Sequence, residues 1–211
     1  MPVNYMVQAQ VVDLRSDNPR VGDRFYVDTN AWFWATYANV QFAPKPPAQR
    51  RVSAYSSYLK RALVSKAELY WCGLSLAELA HQIEKTEYDI FCQATPTPAP
   101  ILKEYRHNFS YERQRVVQEI QTAWQSVEDM GQPLPSSLTI DAKTVAAGLP
   151  QLSQLPLDGY DLFTLQALQA SGISQVISDD GDFCIVPGTT LFTANHNVIV
   201  SAQAQRKLIS R

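Results

Sequence analysis

Short apolar, strand-like stretches alternate with longer stretches of helical spacing along most of this chain. The strand-like stretches lie at residues 25–27, 68–74, 137–140, 173–178 and 189–195. Helix-like stretches separate most of them, and this alternation is typical of an α/β fold in which helices cover both faces of a mostly parallel sheet. We therefore predict a three-layer α/β/α sandwich with a central sheet of about 4–5 strands.

The helices are predicted from spacing and from residues that start or stop them. They are expected just after residue 28, over 48–66, from 75 onward, over 110–130, over 141–149 and over 161–172. Ser75 and Glu78 have the spacing of a capping box, which would start the third helix at Ser75. We expect a single domain over residues 1–211, in which 1–20 is an N-terminal extension and about 94–135 is a helical insertion.

Charge, apolar runs and cysteine spacing argue against several classes of protein. The net charge of −2 argues against a general nucleic-acid binder. No apolar run is long enough to span a membrane, and the N-terminus lacks the basic start and apolar block of a secretory signal. The three cysteines are widely spaced, which fits neither a disulfide framework nor a metal knuckle. These features predict a cytoplasmic protein without a membrane segment.

Charge is unevenly distributed along the chain. Between Thr29 and Ala67 there is no Asp or Glu, whereas six Lys and Arg residues lie there. Such a basic stripe suits a phosphate backbone held near an acidic metal site, and a solvated helix face is the equal alternative. The candidate nucleic-acid contacts are Arg50, Arg51, Lys60 and Arg61.

Four carboxylates far apart in sequence are predicted to meet at one edge of the sheet. Asp28 ends the first predicted strand and Asp180 follows a later one, while Glu78 and Asp161 lie in the first turns of helices. Ligands of open parallel sheets bind outside the carboxyl ends of the strands. Oxygen ligands of this kind select hard divalent cations such as Mg²⁺ or Mn²⁺.

Each of these acids also has a simpler interpretation. Asp28 and Asp161 could be only N-caps, and Glu78 could be only the second half of the capping box. The sequence "DDGD" at 179–182 is by itself a common turn. Asp158 competes with Asp161 for the role in the site.

Three motifs, "FYVDTNAW", "LSLAELAH" and "DGYDLFTLQALQASGISQVISDDGDF", together resemble the PIN-domain family, which includes the toxin ribonucleases of VapC-type toxin–antitoxin pairs. The resemblance covers about residues 22–40, 52–90 and 137–195. The positions that match the family pattern are Asp28 with Thr29 and Asn30, Glu78, Asp161, and Ser178 with Asp180, Asp182 and Phe183. The chain departs from the pattern in having Ser178 where Thr is usual, in the additional segment at 94–135, and in the first 20 residues.

The resemblance implies hydrolysis of RNA phosphodiester bonds with Mg²⁺ or Mn²⁺ as the cofactor. It implies that Asp28, Asp161 and Asp180 bind the metal, that Glu78 binds the metal or orients water, and that Asp182 adds negative charge. Thr29, Asn30 and Ser178 would orient carboxylates or waters. The implied partners are an RNA substrate, a possible antitoxin and a second copy of the chain in a homodimer.

Two rival functions remain. A haloacid-dehalogenase-type phosphatase would need a second carboxylate after Asp28, where this chain has Thr29 and Asn30. A non-catalytic PIN-like module that binds RNA or protein is the stronger rival. Three or four carboxylates in one metal shell would favour the enzyme, and dispersed carboxylates would favour the module.

Overall fold

A computed structural model describes residues 3–95, 98–136 and 139–211. Its described residues form one sheet of seven strands in the order β4-β3-β2-β5-β6-β1-β7, and every neighbouring pair is parallel. The strands are β1 (Gln10–Asp13), β2 (Arg24–Val27), β3 (Glu68–Trp71), β4 (Gln132–Pro133), β5 (Gln175–Ile177), β6 (Thr190–Thr193) and β7 (Leu208–Ile209). The predicted α/β class and parallel sheet are confirmed, but the predicted number of strands is too small.

The additional strands lie where the sequence carries little periodic signal. β4 and β7 have two residues each, too few for an alternating pattern to appear. β1 lies inside the segment 1–20 and pairs with both β6 and β7. Of the strand predicted at 137–140, residues 137 and 138 lie outside the described residues, and Thr139 and Ile140 are not in a strand.

Eight α-helices are found in the described part of the chain. They are α1 (Thr29–Thr36), α2 (Gln49–Val64), α3 (Gly73–Ala94), α4 (Leu102–Asn108), α5 (Ser110–Met130), α6 (Ala142–Gln154), α7 (Gly159–Ser171) and α8 (His196–Ala204). Short 3-10 helices cover Ala38–Phe42 and Asp182–Ile185. None of the helices in this part of the chain has the length and apolar character that crossing a bilayer requires.

Two helices begin earlier than the sequence predicts. The N-cap of α3 is Cys72, and the Ser75 hydroxyl accepts a hydrogen bond from the Cys72 amide at 3.2 Å, so Ser75 lies inside the helix. The interpretation of Glu78 as half of a capping box is therefore wrong. The N-cap of α7 is Asp158, whose Oδ1 accepts hydrogen bonds from the amides of Tyr160 and Asp161 at 2.8 and 2.9 Å. Asp161 is consequently not an N-cap.

Alternate residues of the strands bury against opposite layers of helices. Phe25 and Val27 of β2 pack into a cluster that includes residues of α1, α2, α3 and α5. Tyr26, between them, packs into a second cluster that includes residues of α7 and α8. Since a strand sends successive side chains to opposite faces, β2, an interior strand between β3 and β5, is buried on both sides of the sheet. This fixes the position of Asp28, the first residue after β2.

The segment 94–135 contributes α4 and α5, which are held to α3 by buried charges. Glu84 is paired with Arg106 and Arg113, and Glu87 with Arg115. The carboxylate of Glu87 also accepts a hydrogen bond from the Tyr37 hydroxyl at 2.6 Å. These acids stabilise the packing of helices and lie on α3 well beyond Glu78.

Candidate active site

Asp28 is buried at the carboxyl end of β2, where three groups hydrogen-bond its side chain. Its Oδ1 accepts a hydrogen bond from the Thr29 amide at 2.7 Å, which makes Asp28 the N-cap of α1. Its Oδ2 accepts hydrogen bonds from Asn30 Nδ2 at 2.6 Å and from the Ser178 hydroxyl at 2.5 Å. Asp28 is thus both a helix cap and a carboxylate held in one orientation by residues of two strand ends.

Ser178 and Asn30 connect the end of β5 to the end of β2. The Ser178 hydroxyl, while donating to Asp28, accepts a hydrogen bond from the Asp180 amide at 2.9 Å. The Asn30 side-chain oxygen accepts one from the Asp179 amide at 3.1 Å. Because β2 and β5 are neighbours in the sheet, these contacts fix the acidic turn 179–182 beside Asp28.

Glu78 reaches the same edge from α3. Its Oε2 accepts a hydrogen bond from the Thr29 hydroxyl at 2.6 Å. Thr29 therefore lies between the two acids, with its amide on Asp28 and its hydroxyl on Glu78. Burial raises the pKa of Glu78, and the negative charges of Asp158 and Asp180 raise it further.

Asp161 and Asp182 complete the group of acids at this edge. Burial, followed by the charges of Asp28, Asp158, Asp180 and Asp182, raises the pKa of Asp161 to about 9. Burial and the neighbouring charges of Asp180 and Asp158 raise the pKa of Asp182 to about 6. Burial is the largest cause of both shifts, and the charges of neighbouring acids add to it.

Burial and neighbouring acids also raise the pKa of Asp28. Burial raises its pKa to about 7, even though the hydrogen bond from Ser178 favours its ionised form, and Glu78 and Asp180 add to the rise. The charged groups that contribute most to the pKa values of Asp28, Glu78, Asp161 and Asp182 are all acids. We call Asp28, Glu78, Asp161, Asp180 and Asp182 the carboxylate cluster.

Asp158 also belongs to this neighbourhood. It is exposed and caps α7, and its charge raises the pKa values of Asp161, Glu78 and Asp182. Two backbone amides already occupy its Oδ1, whereas Asp161 is the more buried acid. The sequence offers Asp158 and Asp161 as alternatives for the same role, and the structure brings both to the same edge.

The donor set of the carboxylate cluster suits one mode of metal binding and not another. All five donors are carboxylates, the hard oxygen ligands that Mg²⁺ and Mn²⁺ accept. Within residues 3–95, 98–136 and 139–211, no three Asp, Glu, His or Cys side chains converge closely enough to hold one ion. A closed protein cage is therefore not formed, but Mg²⁺ is commonly bound by one or two carboxylates together with waters and substrate phosphates.

The basic stripe divides between two environments. Arg51 forms an ion pair with Asp179 at 3.2 Å, next to the carboxylate cluster. Arg61 instead donates hydrogen bonds to the backbone oxygens of Leu14 and Asp17 at 3.0 and 3.2 Å. Arg50 and Lys60 are exposed on α2. Of the four predicted nucleic-acid contacts, Arg51 is thus held beside the acidic turn, and Arg61 has a structural role.

Tyr5 is a residue at this edge that the sequence did not indicate. Its ring packs on Gly181 of the acidic turn, where a Cβ atom would come within 2.2 Å of the ring. Burial, and then the charges of Asp180 and Asp182 among others, raises the pKa of Tyr5. No local pattern could have revealed a contact between residues so distant in the chain.

No protein-family model matches this sequence, and no curated protein matches it. Among solved structures, the chain is similar to the crystal structure of VapBC2 from Rickettsia felis bound to a DNA fragment from their promoter. The sequence identity is 12%, the TM-score is 0.46, and the match covers 81% of this chain and 98% of that chain. Similarity of this degree does not assign a family or an activity, so the function is argued from the residues of the site.

Proposed function

We propose that this chain is a Mg²⁺- or Mn²⁺-dependent endoribonuclease of the PIN type, which hydrolyses phosphodiester bonds of RNA. One observation carries the proposal: Thr29, Asn30 and Ser178 hold Asp28 beside Glu78 and the acidic turn by hydrogen bonds, so acids distant in the chain meet at one edge of the sheet. In agreement with this, neighbouring acids add to the rise in the pKa values of Asp28, Glu78, Asp161 and Asp182 that burial causes. Bringing like charges together in a partly buried site is costly unless a cation offsets the repulsion. A bound divalent ion supplies that charge.

The chain's own residues have distinct roles in this proposal. Asp28, Asp161 and Asp180 would hold the ion, and a bound ion would activate water and stabilise the leaving oxygen. Glu78, kept in place by the Thr29 hydroxyl, would hold the ion or orient the attacking water. Asn30 and Ser178 keep Asp28 from rotating, and Asp182 adds negative charge.

Protons compete with the metal in this site. The pKa of Asp161 is raised to about 9 and that of Asp28 to about 7, so before an ion binds at neutral pH Asp161 is protonated and Asp28 is only partly ionised. Metal ligation requires the ionised form, and binding therefore releases protons. Cleavage is expected to increase as the pH rises from about 6 to 9.

A non-catalytic PIN-like module that binds RNA or a protein is the second candidate. It is favoured by the absence, among the described residues, of three metal-binding side chains that converge on one point. An antitoxin partner, a homodimer and a cytoplasmic location, all predicted from the sequence, belong to the proposal in either form.

Cleavage of a mixed RNA pool in Mg²⁺ or Mn²⁺ tests the proposal. Asp28→Asn and Asp161→Asn should each reduce EDTA-sensitive cleavage by roughly 100-fold or more, because ion-mediated charge stabilisation is worth several kcal/mol. Asp89→Asn is the matched control, since Asp89 pairs with Lys85 on the surface of α3. Metal-independent cleavage, or cleavage unaffected by either variant, would contradict the assignment. Binding of RNA without cleavage by the wild type would support the module.

A further inference from the structure

Hydrogen bonds attach the segment of residues 5–9 to Gln205 and to the 3-10 helix that follows the acidic turn. The Gln205 side chain accepts a hydrogen bond from the Val7 amide at 2.9 Å and donates one to the Tyr5 carbonyl at 2.8 Å. The amides of Gln8 and Ala9 donate to the Cys184 carbonyl at 2.9 and 3.0 Å. Cys184 belongs to the 3-10 helix Asp182–Ile185 that continues the turn. The segment is therefore held at both its beginning and its end.

Gly181 shows that this contact is close. Its φ of −82° and ψ of −10° are values that any residue adopts, so backbone conformation does not require glycine here. Space does require it, because a Cβ atom would lie 2.2 Å from Cε1 and Cζ of Tyr5 and 2.4 Å from its hydroxyl oxygen. The hydroxyl end of the ring consequently rests on the turn between Asp180 and Asp182.

The Tyr5 hydroxyl is available to a ligand. In the described part of the chain it makes no hydrogen bond, and the side chain is partly exposed. A phenol can donate one hydrogen bond, and a phosphate oxygen is a strong acceptor. The surrounding carboxylates accept hydrogen bonds and repel a phosphate. The neutral Tyr5 hydroxyl beside them can donate a hydrogen bond to a phosphate oxygen, which ionised carboxylates cannot do.

We propose that Tyr5 is a further substrate-contacting residue of the candidate site, and that its hydroxyl donates a hydrogen bond to a phosphate oxygen of bound single-stranded RNA. The ring, by packing on Gly181, keeps the hydroxyl beside the turn that carries Asp180 and Asp182. This inference rests on the proposed function, since RNA is the ligand that it assigns. It gives the segment before β1 a role in the site.

Tyr5→Phe isolates the hydroxyl, because it retains the ring that packs on the glycine. The probe is a single-stranded RNA oligonucleotide with 2′-O-methyl riboses, and its binding is followed by fluorescence anisotropy with Mg²⁺. Loss of one hydrogen bond to a charged group should weaken binding about 10-fold or more. Tyr111→Phe, at a tyrosine that is 76% exposed on α5, is the matched control and should bind as the wild type does.

Two further variants separate contact from packing. Gly181→Ala should displace the ring and reproduce the weakened binding of Tyr5→Phe while Asp180 and Asp182 remain. With a cleavable RNA, Tyr5→Phe should raise KM with a smaller change in kcat, whereas a purely structural role would lower the melting temperature and leave KM unchanged. Wild-type binding by Tyr5→Phe would overturn the inference.

The inference and the proposed function can fail separately. If the wild type binds RNA without cleaving it, and Tyr5→Phe binds more weakly, the contact stands and the nuclease activity is disproved. If the wild type cleaves RNA and Tyr5→Phe cleaves and binds equally well, the nuclease stands and the contact is disproved. If the wild type neither binds nor cleaves RNA, both are overturned.

Discussion

Two groups of acids in this chain have opposite electrostatic surroundings. Asp17 and Asp23 share the guanidinium of Arg211, at 2.8 Å in each case, and that guanidinium lies 4.5 Å above the Phe192 ring. Burial alone would raise the pKa of Asp23, but the hydrogen bonds from Arg211 lower it. In the carboxylate cluster, burial and neighbouring acids raise the pKa of Asp161 to about 9.

Burial raises the pKa in both groups, and the charge of the partner decides whether the pKa ends below or above its usual value. A paired acid is ionised and stabilises the fold, whereas acids that face one another keep protons and weaken it. Sites where such repulsion is retained are candidates for function. The two electrostatic surroundings can be tested separately, by removing the cation from the first group or by removing an acid from the second.

The largest loss in the free energy of unfolding is expected from Arg211→Ala. Its side chain is 13% exposed, and its loss leaves Asp17 and Asp23 without their shared cation. Breaking a buried ion pair costs about 3–5 kcal/mol in the free energy of unfolding, measurable by urea denaturation at pH 7. Arg15→Ala is the control, because Arg15 is 51% exposed beside Asp13 and such pairs contribute about 0–1 kcal/mol. Equal losses in both variants would contradict the assignment.

Asp161→Asn, in contrast, should increase the free energy of unfolding. At pH 8 the folded chain keeps the Asp161 proton, since its pKa is about 9, whereas the unfolded chain has released it. Asparagine needs no proton, so the metal-free variant should be more stable than the wild type by a few kcal/mol. About 4 units separate pH 8 from the unfolded pKa, and the partial exposure of Asp161 reduces the full value of about 1.4 kcal/mol per unit. Asp23→Asn, in the paired group, should be less stable than the wild type under the same conditions. Destabilisation by Asp161→Asn at pH 8 would show that Asp161 is not repelled by its neighbours.

The two groups should also differ in their response to pH. The raised pKa values of Asp182, Asp28 and Asp161, about 6, 7 and 9, lie above those of the unfolded chain. From about pH 4 to pH 9 the folded state therefore binds more protons than the unfolded state, and stability falls as pH rises. Thermal unfolding in EDTA from pH 5 to 9 should show this fall, with a smaller slope for Asp161→Asn.

Excess Mg²⁺ offers a separate check on that slope, because an ion that favours the ionised carboxylates should oppose the loss of stability at high pH. The lowered pKa of Asp23 has the reverse sign, so its contribution is lost only on acidification below about pH 4. A melting temperature that increases steadily from pH 5 to 9 in EDTA would contradict the raised pKa values of Asp182, Asp28 and Asp161.

The smallest loss in the free energy of unfolding is expected from Arg51→Ala. Arg51 pairs with Asp179, the residue before Asp180 of the carboxylate cluster. Arg51 is 44% exposed and pairs with Asp179 at 3.2 Å, the acid that also accepts a hydrogen bond from the Tyr55 hydroxyl. Exposure limits this ion pair to about 0.5–1 kcal/mol, and Lys85→Ala, at an exposed pair on α3, should cost a similar amount. A loss of several kcal/mol would place Asp179 with the strongly paired acids.

The sequence predicted the α/β class and the edge at which the acids lie, because both depend on local pattern. Asp28 follows a strand with no intervening residue, and Asp180 follows one closely, so parallel strands suffice to bring them together. The number of strands was underestimated since β4 and β7 are too short for periodicity. The start of α3 was misplaced because a cysteine occupies the N-cap.

Other parts of the site depend on contacts that no local pattern records. The Thr29 hydroxyl on Glu78 joins two elements 49 residues apart. Tyr5 meets Gly181 because β1 lies next to β6 in the sheet, an order that chain sequence alone does not specify. Prediction from the sequence was therefore effective for strand ends and poor for neighbours distant in the chain.

The order of the strands has a consequence for how the protein folds during synthesis. β2 has β5 as one neighbour, and Phe25 pairs with Gln175, so one side of β2 stays unpaired until most of the chain has been made. Closing such long loops is entropically costly and makes folding slow. Asp28 and Glu78 are made early, but they meet Asp161 and the turn after β5 only near the end. A nascent chain therefore carries two of the five carboxylates before the site exists, and a chain stopped before residue 175 cannot assemble the site.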